Sequence, residues 1–286
     1  MPILSCWEID GGIFRYVEAG RDALGIPRPT FGRAIALGHD LTHLPPAGEW
    51  PKFTLATSPE ENDGAVLVLH PWSCVTFFTA VPAAWDPGRV KRQVEEEAIM
   101  LVGNGEYGIE QEYVRSGIIA DERIDHLFVT CVPASIRELT PLLSHRPVQI
   151  RSSLSAVASL ILESSSMDGL TLILGWYQRH MEVSVVENGS WLYGGYTGFR
   201  DPLDCLYFLA SLLERLGLNS LDLHRILQYG SSIETAPDGP LSQLFAVHPS
   251  VLRPSTVFPD ARETFLSQPA FVPCAGAILK QLFAEV

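Results

Sequence analysis

Apolar and polar positions along the chain fall twice into the same arrangement. Residues 3–18 read as a strand, a turn at Gly11-Gly12 and a second strand through Val17, with residues 33–38 as a third strand. Residues 170–196 repeat it. The segment 170–174 is apolar and β-rich, and Gly175 breaks it. Met181, Val183 and Val185 then alternate against His180, Glu182 and Ser184, which reads as one buried and one polar face. Asn188-Gly189 is a hairpin turn leading into residues 191–196. Two glycine-punctuated meanders half a chain apart predict a duplicated fold.

Helical periodicity follows each meander. Asp86-Pro87 supplies an N-cap with proline at the first helical position, and it opens a helix to about Val102. Val90, Val94, Ala98 and Leu101 share its apolar face, and Glu95-Glu96-Glu97 read as solvated. Asp201-Pro202 repeats the cap and opens a helix ending near Gly217, with Leu206, Leu209, Leu213 and Leu216 on its buried side. Segments 66–70 and 74–81 read as adjacent strands around Pro71-Trp72. A buried strand at 126–132 precedes a helix from Ala134 that Pro141 interrupts. Residues 152–163 are helical, and 164–169 read as a linker. Short helices are expected at 241–246 and 260–266, and a terminal one at 273–284, where Ala275-Gly276-Ala277 invites close approach by another backbone. The resulting division is 1–166 and 167–286, with a small inserted unit at about 66–150.

Composition narrows the function. With 47% hydrophobic and 19% charged residues the chain is globular rather than disordered. Its net charge of −13 disfavours nucleic acid and anionic membrane surfaces. No apolar run is long enough to span a bilayer, and the first residues lack the pattern of a signal peptide. The five cysteines, Cys6, Cys74, Cys131, Cys205 and Cys274, are scattered, so neither a zinc cluster nor a disulfide framework is expected, which suits a reducing cytoplasm.

The order of elements resembles the actin-like ATPase family, an α/β architecture of two ribonuclease H-like lobes with a small inserted α+β subdomain. Within that family it is similar to the PilM- and GspL-type proteins of pilus and secretion machines. Asp10-Gly11-Gly12 followed by Arg15-Tyr16-Val17-Glu18 resembles the first phosphate hairpin. The segment 170–196 resembles the second. Gln228-Tyr229-Gly230-Ser231-Ser232 stands where the family has its adenosine loop, and 271–279 resembles the closing helix. The resemblance implies a vestigial nucleotide cleft at Asp10, Gly11, Gly12, Gly175, Gly230 and Ser231.

Phosphoryl transfer needs bare backbone N–H groups, hydroxyls and metal-holding carboxylates. Against that standard the chain is depleted. Ile13-Phe14 replaces a Ser/Thr-rich turn, Ile173 or Leu174 occupies the place of the second acid, and the adenosine loop has lost a glycine. We therefore expect no catalytic residues, no metal and no obligatory cofactor, with residual ATP binding left open. The implied role is a cytoplasmic scaffold, peripheral to the inner membrane, that binds a segment of a membrane protein. Two alternatives stand beside it: an ATPase or kinase using Asp10, Glu110 or Asp204, and a self-assembling regulatory module. Other candidates are weak. His39 and His43 have metal-ligand spacing but run into Pro45-Pro46. His70 and Cys74 flank a Pro-Trp turn and lack a third partner. Gly194-Gly195-Tyr196-Thr197-Gly198 reads as a turn into the Asp201 helix.

Overall fold

Tight turns at 11–12 and 188–189 fold the two apolar stretches back on themselves, and each resulting hairpin nucleates a sheet. The computed structural model describes residues 3–21, 27–36, 62–138, 140, 147–164, 168–258 and 263–284. The first meander forms β1 (Ile3–Asp10), β2 (Ile13–Arg21) and β3 (Pro27–Ala36). With β4 (Asn62–Leu69) and, later in the chain, β8 (Val148–Ser152), it makes a five-stranded sheet ordered β3-β2-β1-β4-β8. The second meander forms β9 (Leu170–Trp176), β10 (His180–Glu187) and β11 (Ser190–Gly198), joined by β12 (Leu223–Tyr229) and β13 (Pro249–Val251). Its order is β11-β10-β9-β12-β13, the same topology. In both sheets the hairpins are antiparallel and the later strands add in parallel. Positive φ at both Asn188 (+48°) and Gly189 (+74°) gives the second hairpin the primed turn that matches strand twist.

A third sheet, ordered β5-β7-β6, comes from β5 (Val75–Pro82), β6 (Tyr107–Ile119) and β7 (Glu122–Pro133). Helix α1 (Pro87–Val102) packs on it through Val94 and Ala98. The Asp86 carboxylate accepts from the N–H groups of Gly88 and Arg89 at 2.9 and 3.1 Å, the expected cap. Leu101, expected on the buried face, is exposed together with Ile99 and Met100, while Val102 packs against the sheet. Segments 66–70 and 74–81 do not pair, contrary to expectation. A turn closed by Ser73 N–H on the His70 carbonyl sends the chain from the first sheet into the third. A four-residue helix α2 (Ala134–Arg137) follows β7; Pro141 lies outside the described residues, as do His39, His43 and residues 165–167 of the expected linker.

Two helices cross between the large sheets. α3 (Ser153–Ser164) leaves β8 directly and reaches β10 and β11. In the second half α4 (Asp204–Arg215) and α5 (Asp238–Phe245) come first, and the chain then returns through α6 (Val272–Ala284), which packs on β1, β2 and β4. α3 and α6 meet at Gly276, where an added Cβ would lie 2.0 Å from the Ala156 carbonyl oxygen. Only glycine permits that approach. We expect Gly276→Val to destabilise the chain by about 1–3 kcal/mol, as overpacking does; an unchanged urea midpoint would refute the contact. A partly buried ionic contact braces the same place: Glu112 of β6 receives Lys280 of α6, Ser155 of α3 at 2.7 Å and Arg151 at 3.4 Å.

Two further expectations shift. The strand does not break at Gly175; it runs through to Trp176, with Gly175 bare because the Tyr229 ring lies over it. The Asp201 helix begins at Asp204, because residues 201–203 form a turn in which the Asp201 carboxylate accepts from Leu203 N–H. Its end is as expected: Gly217 has φ +68°, and Leu218 N–H bonds back to the Leu213 carbonyl.

Candidate functional site: a buried ion cluster between the sheets

Charged residues inside central strands must find partners or lose their charge. Glu8 and Asp10 lie two apart on β1 and so share one face. Arg15, directly opposite Glu8 on β2, reaches both: Nη1 donates to Glu8 Oε1 at 2.8 Å and Nη2 to Asp10 Oδ2 at 3.0 Å. His70 follows the last residue of β4, the strand on the other side of β1. Its Nε2 lies 3.1 Å from Glu8 Oε1, and its Nδ1 lies 2.6 Å from Glu182 Oε1 of β10.

Glu182 carries the network into the second sheet. Ser153, the first residue of α3, donates to Oε1 at 2.7 Å, and the Tyr229 hydroxyl of β12 donates to Oε2 at 2.7 Å. Ser231 donates to Asp10 Oδ2 at 2.8 Å, and the Cys274 thiol of α6 lies 3.3 Å from Glu8 Oε2. Glu8, His70 and Glu182 are completely buried, and Arg15 is 2% exposed.

The electrostatics follow from these contacts. Burial pulls the His70 pKa down, but the Glu182 and Glu8 carboxylates outweigh it and push it up to about 10, so the ring is an imidazolium that donates from both nitrogens. Burial likewise opposes the charge of Arg15, yet Glu8 and Asp10 hold its pKa above the ordinary value. Burial tends to raise the Asp10 and Glu182 carboxyls, but each ends below its usual range. The His70 charge does most for both, helped by Arg15 and the Ser231 hydroxyl at Asp10 and by the His70 and Ser153 hydrogen bonds at Glu182. His180 stacks on Tyr177 with ring centroids 4.7 Å apart, and burial lowers its pKa to about 4, leaving it neutral.

Four of the six residues expected to line a cleft meet here. Asp10 and Ser231 bond to each other across the sheets. Gly175 pairs with Glu182 on one side and Tyr229 on the other. Gly230, at φ +112°, lets the chain pass within reach of the Trp176 carbonyl, 2.2 Å from where a Cβ would stand. Gly11 and Gly12 form the half-buried β1–β2 turn, with Gly11 at φ +55°.

The expected loss of carboxylates does not hold. Glu8 and Glu182 are both present between the sheets, and the sequence reading missed both. Glu182 was assigned to a polar face by alternation, but both faces of β10 are covered and Glu182 and Ser184 are buried. One signal was available: Arg15 and Glu182 are each the third residue of the second strand of their hairpin, so the duplication places opposite charges at matching positions. Glu110 instead pairs with Arg137 at 2.8 Å on the third sheet, and Asp204 is exposed at the start of α4. The Cys74 thiol points at the His70 carbonyl, and burial raises its pKa, so it is no nucleophile. Gly194–Gly198 belongs to β11 rather than to a helix entry. A separate cavity of about 480 Å³ lies between β5 and β11, lined by Pro71, Phe77, Phe78, Leu192 and Tyr196.

Neither a protein-family model nor a curated protein sequence matches the chain. Solved structures do. The PilM–PilN type IV pilus biogenesis complex contains a chain that superposes with a TM-score of 0.70 at 12% identity, covering 98% of each chain. A Bacteroides thetaiotaomicron protein of unknown function with an actin-like ATPase fold superposes with a TM-score of 0.62 at 10% identity, covering 97% of this chain and 95% of that one. Two sheets of identical strand order, crossed by α3 and α6 and carrying an inserted third sheet, account for so complete an overlap at so low an identity: this chain has the actin-like ATPase fold.

Proposed function

We propose that the chain is a non-catalytic actin-like scaffold of the cytoplasmic side of a pilus or secretion assembly, holding a segment of an inner-membrane protein. The observation that carries this reading is the ion cluster. The carboxylates that would hold a metal–nucleotide in such a cleft are already engaged in ion pairs with Arg15 and His70 of the chain itself. Entry of Mg·ATP would require breaking these buried pairs, at about 3–5 kcal/mol for the first. The structural likeness to a pilus-complex protein supports the assembly. Among the described residues no helix is long and apolar enough to cross a membrane, which is compatible with a peripheral position. The groove between β5 and β11, bordered by two sheet edges, is a surface for an extended segment.

Calorimetry of the full chain with Mg·ATP tests the first half of the proposal. We expect no saturable heat at millimolar nucleotide. Saturable binding that Asp10→Ala abolishes would replace the scaffold with the nucleotide-dependent alternative. Affinity capture of an inner-membrane pilus or secretion component tests the second half, and concentration-dependent light scattering without such a partner would favour self-assembly.

A further inference from the structure

We propose that His70, His180 and Glu182 form a binding site for a divalent transition-metal ion of the zinc type, clamping the two sheets together. Each residue offers one donor atom, and the three donor atoms lie within 4.8 Å of one another. The donors come from both halves: His70 from the end of β4, His180 and Glu182 from β10. Two imidazoles and a carboxylate are the donor set that zinc takes when it keeps a fourth position open.

Two features separate this site from a chance cluster. The first is an orphan: His180 Nε2 is buried and has no hydrogen-bond partner. The second is the outer shell. Metal-bound histidine almost always gives its other ring N–H to a carboxylate or carbonyl, and metal-bound carboxylates are themselves hydrogen-bonded. Glu8 already stands at His70 Nε2, leaving Nδ1 for the metal, and Ser153 and Tyr229 already hold the Glu182 oxygens.

The rearrangement is small. Donors around a tetrahedral zinc stand roughly 3.3 Å apart. The 2.6 Å contact of His70 Nδ1 with Glu182 Oε1 must open by less than about 1 Å, and His180 must close by up to about 1.5 Å.

The test uses the full chain stripped with EDTA, then titrated with Zn²⁺ by calorimetry and with Co²⁺ by visible absorption. We expect saturation at one ion per chain and an intense Co²⁺ d–d band. His180→Ala keeps the His70–Glu182 pair, so it should fold; it should weaken Zn²⁺ binding at least as much as loss of an outer-shell partner, about 10–100-fold, and abolish the band. Glu8→Gln should weaken binding about 10–100-fold, and His248→Ala, outside the cluster, should leave it unchanged. X-ray absorption of the zinc-loaded native chain should show two imidazole nitrogens and a carboxylate oxygen, a result that needs no variant to fold. Absence of saturable Zn²⁺ binding, equal affinity in His180→Ala, or a ligand shell without imidazole would each overturn the site. None of these readings depends on whether nucleotide binds.

Discussion

Glu182→Ala lowers the stability of the fold by about 3–5 kcal/mol, the cost of removing one partner from a buried ion pair. The wild-type carboxylate answers the charge of His70 and accepts from Ser153 and Tyr229. Alanine removes all three acceptor contacts at once from a position with no access to water. The imidazolium then either gives up its proton or stays buried beside Glu8 alone, and two hydroxyls lose their acceptor. In a chain of this size the loss appears as a fall of roughly 10 °C in Tm. Glu182→Gln keeps hydrogen bonding and removes only the charge, so it should fall between wild type and alanine. A loss under about 1 kcal/mol for Glu182→Ala in urea denaturation would mean that the cluster is solvated and the halves are held by other contacts.

The second large effect is a stability optimum near neutral pH with a decline on the alkaline side. His70 titrates at about 10 in the fold against an ordinary 6.5. A raised pKa means that the folded state binds the proton more tightly, so its contribution is complete below 6.5 and disappears as pH rises towards 10. The slope reaches about 1.4 kcal/mol per pH unit, which gives a loss of about 2 kcal/mol between pH 6.5 and 8.5. The thiols of Cys74, Cys131, Cys205 and Cys274, raised by burial above an ordinary 9.0, add to the decline only at the upper end of that window. On the acid side the signs reverse. His180 is held neutral down to about 4, and Asp10, Glu112 and Glu182 are held below their usual carboxyl range, so their contributions are present at neutral pH and are lost on acidification. Urea unfolding in EDTA at pH 6.5, 7.5 and 8.5 measures the alkaline limb. A flat profile over that range would show that His70 is neutral and would remove the charge balance described for the cluster.

These expectations rest on residues that differ in how openly the sequence displays them. The duplication is visible because strand periodicity and turn chemistry are local. Gly11-Gly12 and Asn188-Gly189 must be turns whatever surrounds them, and Asp86-Pro87 must cap a helix. Gly276 announced a close backbone approach because a glycine between alanines has no other use in a helix. Alternation misled at Glu182 for a physical reason: a period of two separates the faces of a strand but does not say whether the polar face meets water or a second layer. Here α3 and the first sheet cover it, so a residue expected outside lies at the centre.

The inserted sheet shows the same limit. Strands β5 and β7 and helix α1 were legible, but β6 was not foreseen, and neither was the partition of 66–70 from 74–81, since two consecutive apolar runs look the same whether they pair or part. The six cleft residues were placed by resemblance; four of them lie at the ion cluster, and the set leaves out Glu8, His70 and Glu182, which carry its electrostatics. Local sequence by itself determined the two hairpins, the Asp86-capped helix, the acidic balance and the globular character of this chain, because each depends on composition or on neighbours within a few residues. Only the tertiary structure decided that three carboxylates, an arginine and a histidine from both halves of the chain share one buried cluster. Such pairing depends on which strands become neighbours, and burial alone turns those charges from solvated groups into groups that must be matched.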